Sequence, residues 1–445
     1  MIKYAATTRI AAIFALALVV GLLFPQTGKA QSFNVALKLA LENNPVLAAA
    51  RSEYKAVRQN QYVALGNSLP QIAAYARSTT NDMTTLQDYT GEEVSLLSKH
   101  RNDSWGLTGE MVVFSSGKNL NDFRKARADI AAQRVSLINT EQTVLLEAVQ
   151  AILDVLKDQA VMSLRRKNVQ VLERQFQATN DQFEVGIVTR TDVAQSESRL
   201  KLAQSNLLLQ NASFAASRAF YREVIGQDSG QLSPPEALPE LPESLEAALQ
   251  FARSNSPVLR TAQEYARGAR YTTYSTVGGA LPKVSLFGNY AVTEDPNRMK
   301  IGLEEEVTNF GIEVSMPVFT GGKTLAAINA SRHVANNTRL QVHAASNKVE
   351  RQVTVTWNNF NAASGRIEAS SQQIAASEIA LEGVKQELEL GTRTILDVLD
   401  AEQELLDARV AQIQAERDQI LSAYSLLSAI GKLTGTNLGI VASAK

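Results

Sequence analysis

Two periods of hydrophobic spacing alternate along the chain. Leu145, Val149, Ile152, Leu156 and Ala160 follow one another at steps of 4, 3, 4 and 4 residues, the spacing that lines one face of an α-helix with apolar side chains. No glycine occurs from Lys118 to Val185 and no proline from Gln71 to Ser233, so nothing in that stretch obliges a helix to break. The pattern predicts one amphipathic helix over about 118–185, a rod of roughly 100 Å at 1.5 Å per residue. No compact domain needs such a rod. A second proline-free stretch runs from Val318 to the end and predicts a matching helix over about 323–390, with Gly365 and Gly383 as its weak points. After Gly186 or Gly391 each rod is expected to turn into a shorter helix that returns beside it, over about 190–225 and 394–430. Leu406, Val410, Ile413, Ile420 and Tyr424 mark the buried stripe of the second return helix. The remaining helical faces, such as Asn336-Asn337-Thr338 and Ala344-Ala345-Ser346-Asn347, are rich in small polar residues that suit close helix packing beside water.

Elsewhere the period falls to two. Phe310, Ile312, Val314, Met316 and Val318 alternate with Gly311, Glu313, Ser315, Pro317 and Phe319, and Trp105, Leu107, Met111 and Val113 alternate with Gly106, Thr108 and Glu110. Val284, Leu286 and Tyr290 alternate with Ser285 and Asn289. The reading is four strands, over about 69–79, 104–114, 281–292 and 308–319. One face is apolar and the other largely polar, as in a strand that separates lipid from a watery lumen; a soluble hairpin on a core shows the same alternation. The polar stretches Thr79 to Arg101 and Thr293 to Glu305 read as surface loops. Four strands in a bilayer leave open edges, and an unpaired backbone group in lipid costs several kcal/mol. Strands in a membrane therefore oblige the chain to oligomerise.

These elements occur twice because the chain is written twice. Asn44-Pro45-Val46-Leu47 returns as Ser256-Pro257-Val258-Leu259, and Leu69-Pro70 as Leu281-Pro282, at an offset of 212 residues. Val113-Phe114-Ser115-Ser116-Gly117-Lys118 returns as Val318-Phe319-Thr320-Gly321-Gly322-Lys323, and Gly186, Thr189 and Asp192 return as Gly391, Thr394 and Asp397, at an offset of 205. The division that follows is a first repeat over 31–229, a proline-rich extended linker over 230–243 and a second repeat over 244–445. Ahead of the first repeat, Lys3 and Arg9 precede an apolar run from Ile10 to Phe24 and the small-residue site Gly28-Lys29-Ala30. Residues 1–30 thus read as a secretory signal peptide, the apolar run being short for a bilayer span.

Composition narrows the chemistry. Removal of residues 1–30 leaves 41 basic against 45 acidic residues, a formal charge of −4, which carries no nucleic-acid footprint. No later apolar stretch is long enough for a transmembrane helix, which excludes an inner-membrane transporter. The absence of cysteine excludes disulfides, thiolate metal sites and a lipoprotein anchor. His100, His333 and His343 share no metal-ligand spacing and read as surface residues. There is no nucleophile–base pair and no phosphate loop, so neither an enzyme nor a cofactor is expected.

The turn after each rod has a mechanical explanation. Gly186 and Gly391 can take the left-handed conformation that ends a helix, while Thr189 with Asp192 and Thr394 with Asp397 form capping boxes for the next. That explanation leaves out Arg393 and Asp400. Asp397 and Asp400 lie three residues apart, on one helix face; with Glu387 and Glu389 nearby, such a face is usually solvated.

Leu390-Gly391-Thr392-Arg393-Thr394-Ile395-Leu396-Asp397-Val398-Leu399-Asp400-Ala401 resembles the second helix-turn-helix tip of the TolC-type outer membrane factors, and Val185-Gly186-Ile187 with Thr191-Asp192-Val193 resembles the first. The resemblance extends over the duplicated halves, the Leu-Pro before one strand and the Val-Phe and Gly after the next. It implies a mainly α fold with a transmembrane β segment, in duplicated helix-strand-strand-helix halves. A homotrimer would join four strands per chain into a twelve-stranded barrel in outer-membrane lipid, with the helices forming a coiled-coil periplasmic tunnel. It further implies acidic constriction rings at Asp397 and Asp400, and a latch in which Arg393 is tied to Thr191 and Asp192 across neighbouring helices. Leu388 stands where many members carry a tyrosine within the gate, so that tie is missing. The tip turns Val185-Gly186-Ile187 and Leu390-Gly391-Thr392 would dock a periplasmic adaptor, the membrane fusion protein, which links the duct to an inner-membrane transporter of RND, ABC or MFS type. The implied function is an exit duct for a tripartite efflux pump or a type I secretion system. A non-conducting coiled-coil tether is the competing reading.

Overall fold

The computed structural model describes residues 32–89, 92–294 and 304–440; the signal-peptide reading of 1–30 lies outside the described residues. The first half comprises α1 (Phe33–Asn43), α2 (Pro45–Gly66), β1 (Gln71–Tyr89), β2 (Glu92–Phe114), α3 (Lys118–Glu184) and α4 (Arg190–Ile225). The second comprises α5 (Leu245–Asn255), α6 (Pro257–Gly278), β3 (Lys283–Glu294), β4 (Glu304–Ser315), α7 (Lys323–Glu389) and α8 (Ile395–Ala429). Each half thus carries two short helices ahead of its strands that the apolar spacing did not disclose. Their local signal is a start signal. The Asn44 side chain accepts from the N–H groups of Val46 and Leu47 at 2.9 and 3.3 Å, with Pro45 at the first helical position, where a missing N–H costs nothing.

The short helices stack end to end into columns beside the long ones. Asn44 at the start of α2 donates from Nδ2 to the carbonyl of Val224 near the end of α4, at 3.1 Å. Gly431, just past α8, lies against the backbone of Asn255 and the ring of Pro257 at the start of α6. Column α2/α4 packs on α3, α3 packs on column α6/α8, and that column packs on α7. The result is a wall of four helical columns. Where α1, α3, α4, α5, α7 and α8 converge, Leu145, Ile152, Tyr221, Ile225, Leu426 and Ile430 are fully buried in one apolar cluster. The stripe read from the sequence runs through Leu145, Val149 and Ile152 into this cluster, with Leu156 at its margin, but Ala160 faces solvent. The outer columns are poorly covered: α2 buries only Leu47 and Ala64, and α7 only Val349, Val353, Thr356, Ala363, Ser370 and Ser377. No described helix is long and apolar enough to cross a membrane.

The four strands form one antiparallel sheet in the order β1-β2-β3-β4. Register pairs fix the faces, because partners directly opposite share one. Ile72 (opposite Gly109), Ala74 (opposite Leu107), Leu107 (opposite Tyr290), Leu286 (opposite Ile312) and Val284 (opposite Val314) place an apolar surface on one side. Ile72, Trp105, Leu107, Leu286, Phe310, Ile312 and Val314 are all exposed. The opposite face carries Glu110, Asn289, Asn309 and Glu313, with Lys283 Nζ 3.2 Å from Glu110 Oε1. There the ring of Phe287 lies over Gly311, where a Cβ would meet it at 2.8 Å.

Two strand expectations are corrected. β1 and β2 stay paired as far as Tyr89 opposite Glu92, so most of 79–101 is strand rather than loop. Thr79, Thr80, Thr84 and Thr85 are β-branched, a residue class that favours strands even where the sequence is polar. The described pairing of β2 with β3 runs as far as Asp103 opposite Glu294. At the other end β4 stops at Ser315, not near 319, because Pro317 cannot donate to a ladder. Residues 295–303 of the second expected loop lie outside the described residues.

Candidate gate at the helical tips

Both long helices end in the same reversal. Gly186 (φ 78°) and Gly391 (φ 76°) adopt the left-handed conformation, which an L side chain reaches only with strain. The N–H of Ile187 donates to Gln182 and that of Thr392 to Glu387, at 2.9 and 3.0 Å, so the last helical carbonyls are satisfied by a Schellman turn. Capping boxes then open the return helices. In α4 the Asp192 carboxylate accepts from the N–H and hydroxyl of Thr189 at 2.8 and 2.7 Å, while the N–H of Asp192 donates back to the hydroxyl. In α8, Thr394 and Asp397 repeat this geometry. The backbone N–H of Thr394, its hydroxyl and the neighbouring Arg393 hold the Asp397 carboxyl below the usual carboxylate range.

The charged residues around these turns are distributed differently from the implied latch. Within the chain, Arg393 donates from Nε to Glu387 Oε2 at 2.8 Å and lies 3.9 Å from Asp397; Glu387 raises its pKa further above the ordinary value. It does not reach Thr191, which is exposed, or Asp192, whose carboxylate is occupied by Thr189. Asp400 is paired with Arg199 on α4. Leu388 joins Val169, Phe176 and Val188 around a buried cluster of Leu172, Leu200, Ala203, Ile395 and Leu399. Apolar packing thus joins the two coiled-coil pairs near the tip. At the extreme tips Val185, Ile187 and Leu390 are 70%, 72% and 79% exposed, an apolar surface left in water at the point furthest from the sheet. His333 and His343 are exposed, and no group of three or more metal-binding side chains occurs among the described residues.

Arg199 escaped the sequence reading, although one signal was present. At the 205-residue offset Asp400 corresponds to Gln195 and Arg199 to Glu404, so the two copies part company in charge at the positions that meet in space.

The geometry agrees with the comparisons. A family model described as outer membrane efflux protein matches residues 36–227 and 248–432. The chain belongs to that family. It is 29% identical over 415 residues to the outer membrane efflux protein BepC of Brucella suis, covering 93% of this chain and 88% of the relative. It is 26% identical to the alkaline protease secretion protein AprF of Pseudomonas aeruginosa, covering 91% and 85%. Among solved structures, the Campylobacter jejuni CmeC outer membrane channel superposes with a TM-score of 0.79 at 15% identity, covering 90% of this chain and 86% of that one. The open state of the Neisseria gonorrhoeae MtrE channel gives 0.73 at 18% identity, covering 91% and 90%. This chain is therefore an outer-membrane export channel subunit of TolC type, and channels of this family are not a class of enzyme. The apolar face of the sheet lies toward outer-membrane lipid and the helical wall extends from it.

Proposed function

We propose that three copies of this chain form the exit duct of a tripartite efflux pump or a type I secretion system. One observation carries the reading: the wall of four columns and the four-stranded sheet are both open at their lateral edges, β1 with α2 on one side and β4 with α7 on the other. Three copies would supply twelve strands and close both structures at once, leaving no unpaired backbone in lipid. The 12-residue β3 and β4 suit a tilted barrel strand, which needs about 9–11 residues to cross the hydrocarbon. α3 and α7, at 67 residues each, give the duct its roughly 100 Å periplasmic reach.

In that assembly Arg393 can leave Glu387 for Thr191 and Asp192 of a neighbouring helix, and Asp397 and Asp400 line the constriction. The exposed Val185, Ile187 and Leu390, beside Gly186, Gly391 and Thr392, offer an apolar tip surface to a periplasmic adaptor, through which an inner-membrane transporter of RND, ABC or MFS type would be engaged. Efflux and protein secretion can use one duct: BepC is an efflux protein and AprF an alkaline protease secretion protein. Deleting the chain tests the function. Increased antibiotic sensitivity, loss of a secreted protein, or both, is expected; wild-type sensitivity together with an unchanged secretome would favour the non-conducting tether.

A further inference from the structure

Opening such a tip requires the α7/α8 pair to move away from α3/α4, so the contacts that matter are those crossing between the pairs. Lys385–Glu402, Arg409–Glu378 and Arg366–Asp418 join α7 to α8 and would travel with that pair. Among the ion pairs of the described residues, two cross from α8 to the first repeat. Arg417 on α8 holds Asp154 on α3 with Nε and Nη2 at 3.0 and 2.9 Å, far up the rods beside the main apolar cluster. Arg199 on α4 holds Asp400 on α8 at the tip. Next to that pair in sequence, Leu200 and Leu399 share the small apolar cluster that also takes in Leu388.

Arg199 occupies a position the family resemblance does not bring in, and its partner is one of the two carboxylates assigned to the acidic constriction. We propose that Arg199 is a gate residue of this channel with two effects: it bolts α8 to α4 within each chain, and it cancels the charge of Asp400. The constriction then presents chiefly the Asp397 carboxylates, themselves close to Arg393, and its mouth is less cation-selective than six free carboxylates would make it. The inference rests on the proposed gate.

The test is planar-bilayer recording of the full-length oligomer with La³⁺ as the blocking ion. Arg199→Gln should raise single-channel conductance roughly two- to fivefold, the worth of a partly exposed ion pair, and should lower the La³⁺ concentration for half-block by a similar factor as Asp400 is freed. Asp400→Asn should also raise conductance but weaken the block. The reversed pair, Arg199→Asp with Asp400→Arg, should return conductance to the wild-type level. Loosened helix packing alone would not move the block in opposite directions in the two single variants. Arg199→Gln with unchanged conductance and block overturns the proposal, as does a reversed pair that stays as open as the single variants. Asp397→Asn separates the levels of inference: if it relieves the block while Arg199→Gln does nothing, Arg199 alone is misassigned, whereas if neither has any effect the gate itself is misplaced.

Discussion

Asp397 serves two masters at the tip: it caps α8 and it faces the proposed constriction. As a cap it accepts from the N–H and hydroxyl of Thr394, bonds that only the ionised carboxylate can accept in full. Its folded pKa is depressed below the ordinary 3.8, so the sign of the pH effect follows directly. The contribution of the cap is complete above 3.8 and is lost as pH falls through the lower, folded value. Amide hydrogen-exchange protection in the first turn of α8 should drop between pH 7 and pH 2, and Asp397→Ala should remove it at both. Equal protection at the two pH values would show that the carboxylate is not what holds the turn. Residues of this kind were legible in the sequence because a helix end has a local grammar: Gly186 and Gly391, then threonine, then aspartate three positions on. Arg199 and Asp400 follow no such rule. They lie 201 residues apart, and only the packing of α4 against α8 brings them together.

At the level of elements, the long helices were legible for the opposite reason, since the absence of glycine and proline over dozens of residues leaves few alternatives. α2 escaped because it buries two side chains in 22 residues and so shows no apolar stripe; Asn44-Pro45 was its clearest mark. The outer half of the β1–β2 hairpin escaped because a polar strand and a polar loop share one composition. The repeat also permits a controlled test of helix packing. Gly66 at the end of α2 and Gly278 at the end of α6 are counterparts at the 212-residue offset, yet a Cβ on Gly66 meets nothing within 4 Å, whereas one on Gly278 meets the Lys118 nitrogen and the Ser116 oxygen at 2.9 Å each. Gly278→Ala must push α6 off the start of α3 and should cost about 1–3 kcal/mol, lowering the thermal unfolding temperature in detergent. Gly66→Ala should be neutral or stabilising by up to about 1 kcal/mol. Equal effects in the two variants would refute the close approach.

For the whole molecule, the decisive feature is incompleteness. A sheet with an apolar outer face and two free edges, continuous with a wall whose outer columns bury few of their own residues, is a segment of a closed object. Backbone chemistry demands closure in lipid; the number three comes from family resemblance. Within one chain β1 and β4 are separated by β2 and β3, about 14 Å across at the usual strand spacing, while a disulfide needs Cα atoms within about 7 Å. The chain contains no cysteine of its own. The most direct measurement therefore places one cysteine at Ala74 on β1 and a second at each position in turn from Thr308 to Val314 on β4, oxidises the cells and sizes the products under denaturing conditions. Closure of three chains predicts that at the matching register β1 of one copy is bonded to β4 of the next, in a ladder that ends at three chains. A ladder that runs past three, or no crosslink at any register, would contradict the duct.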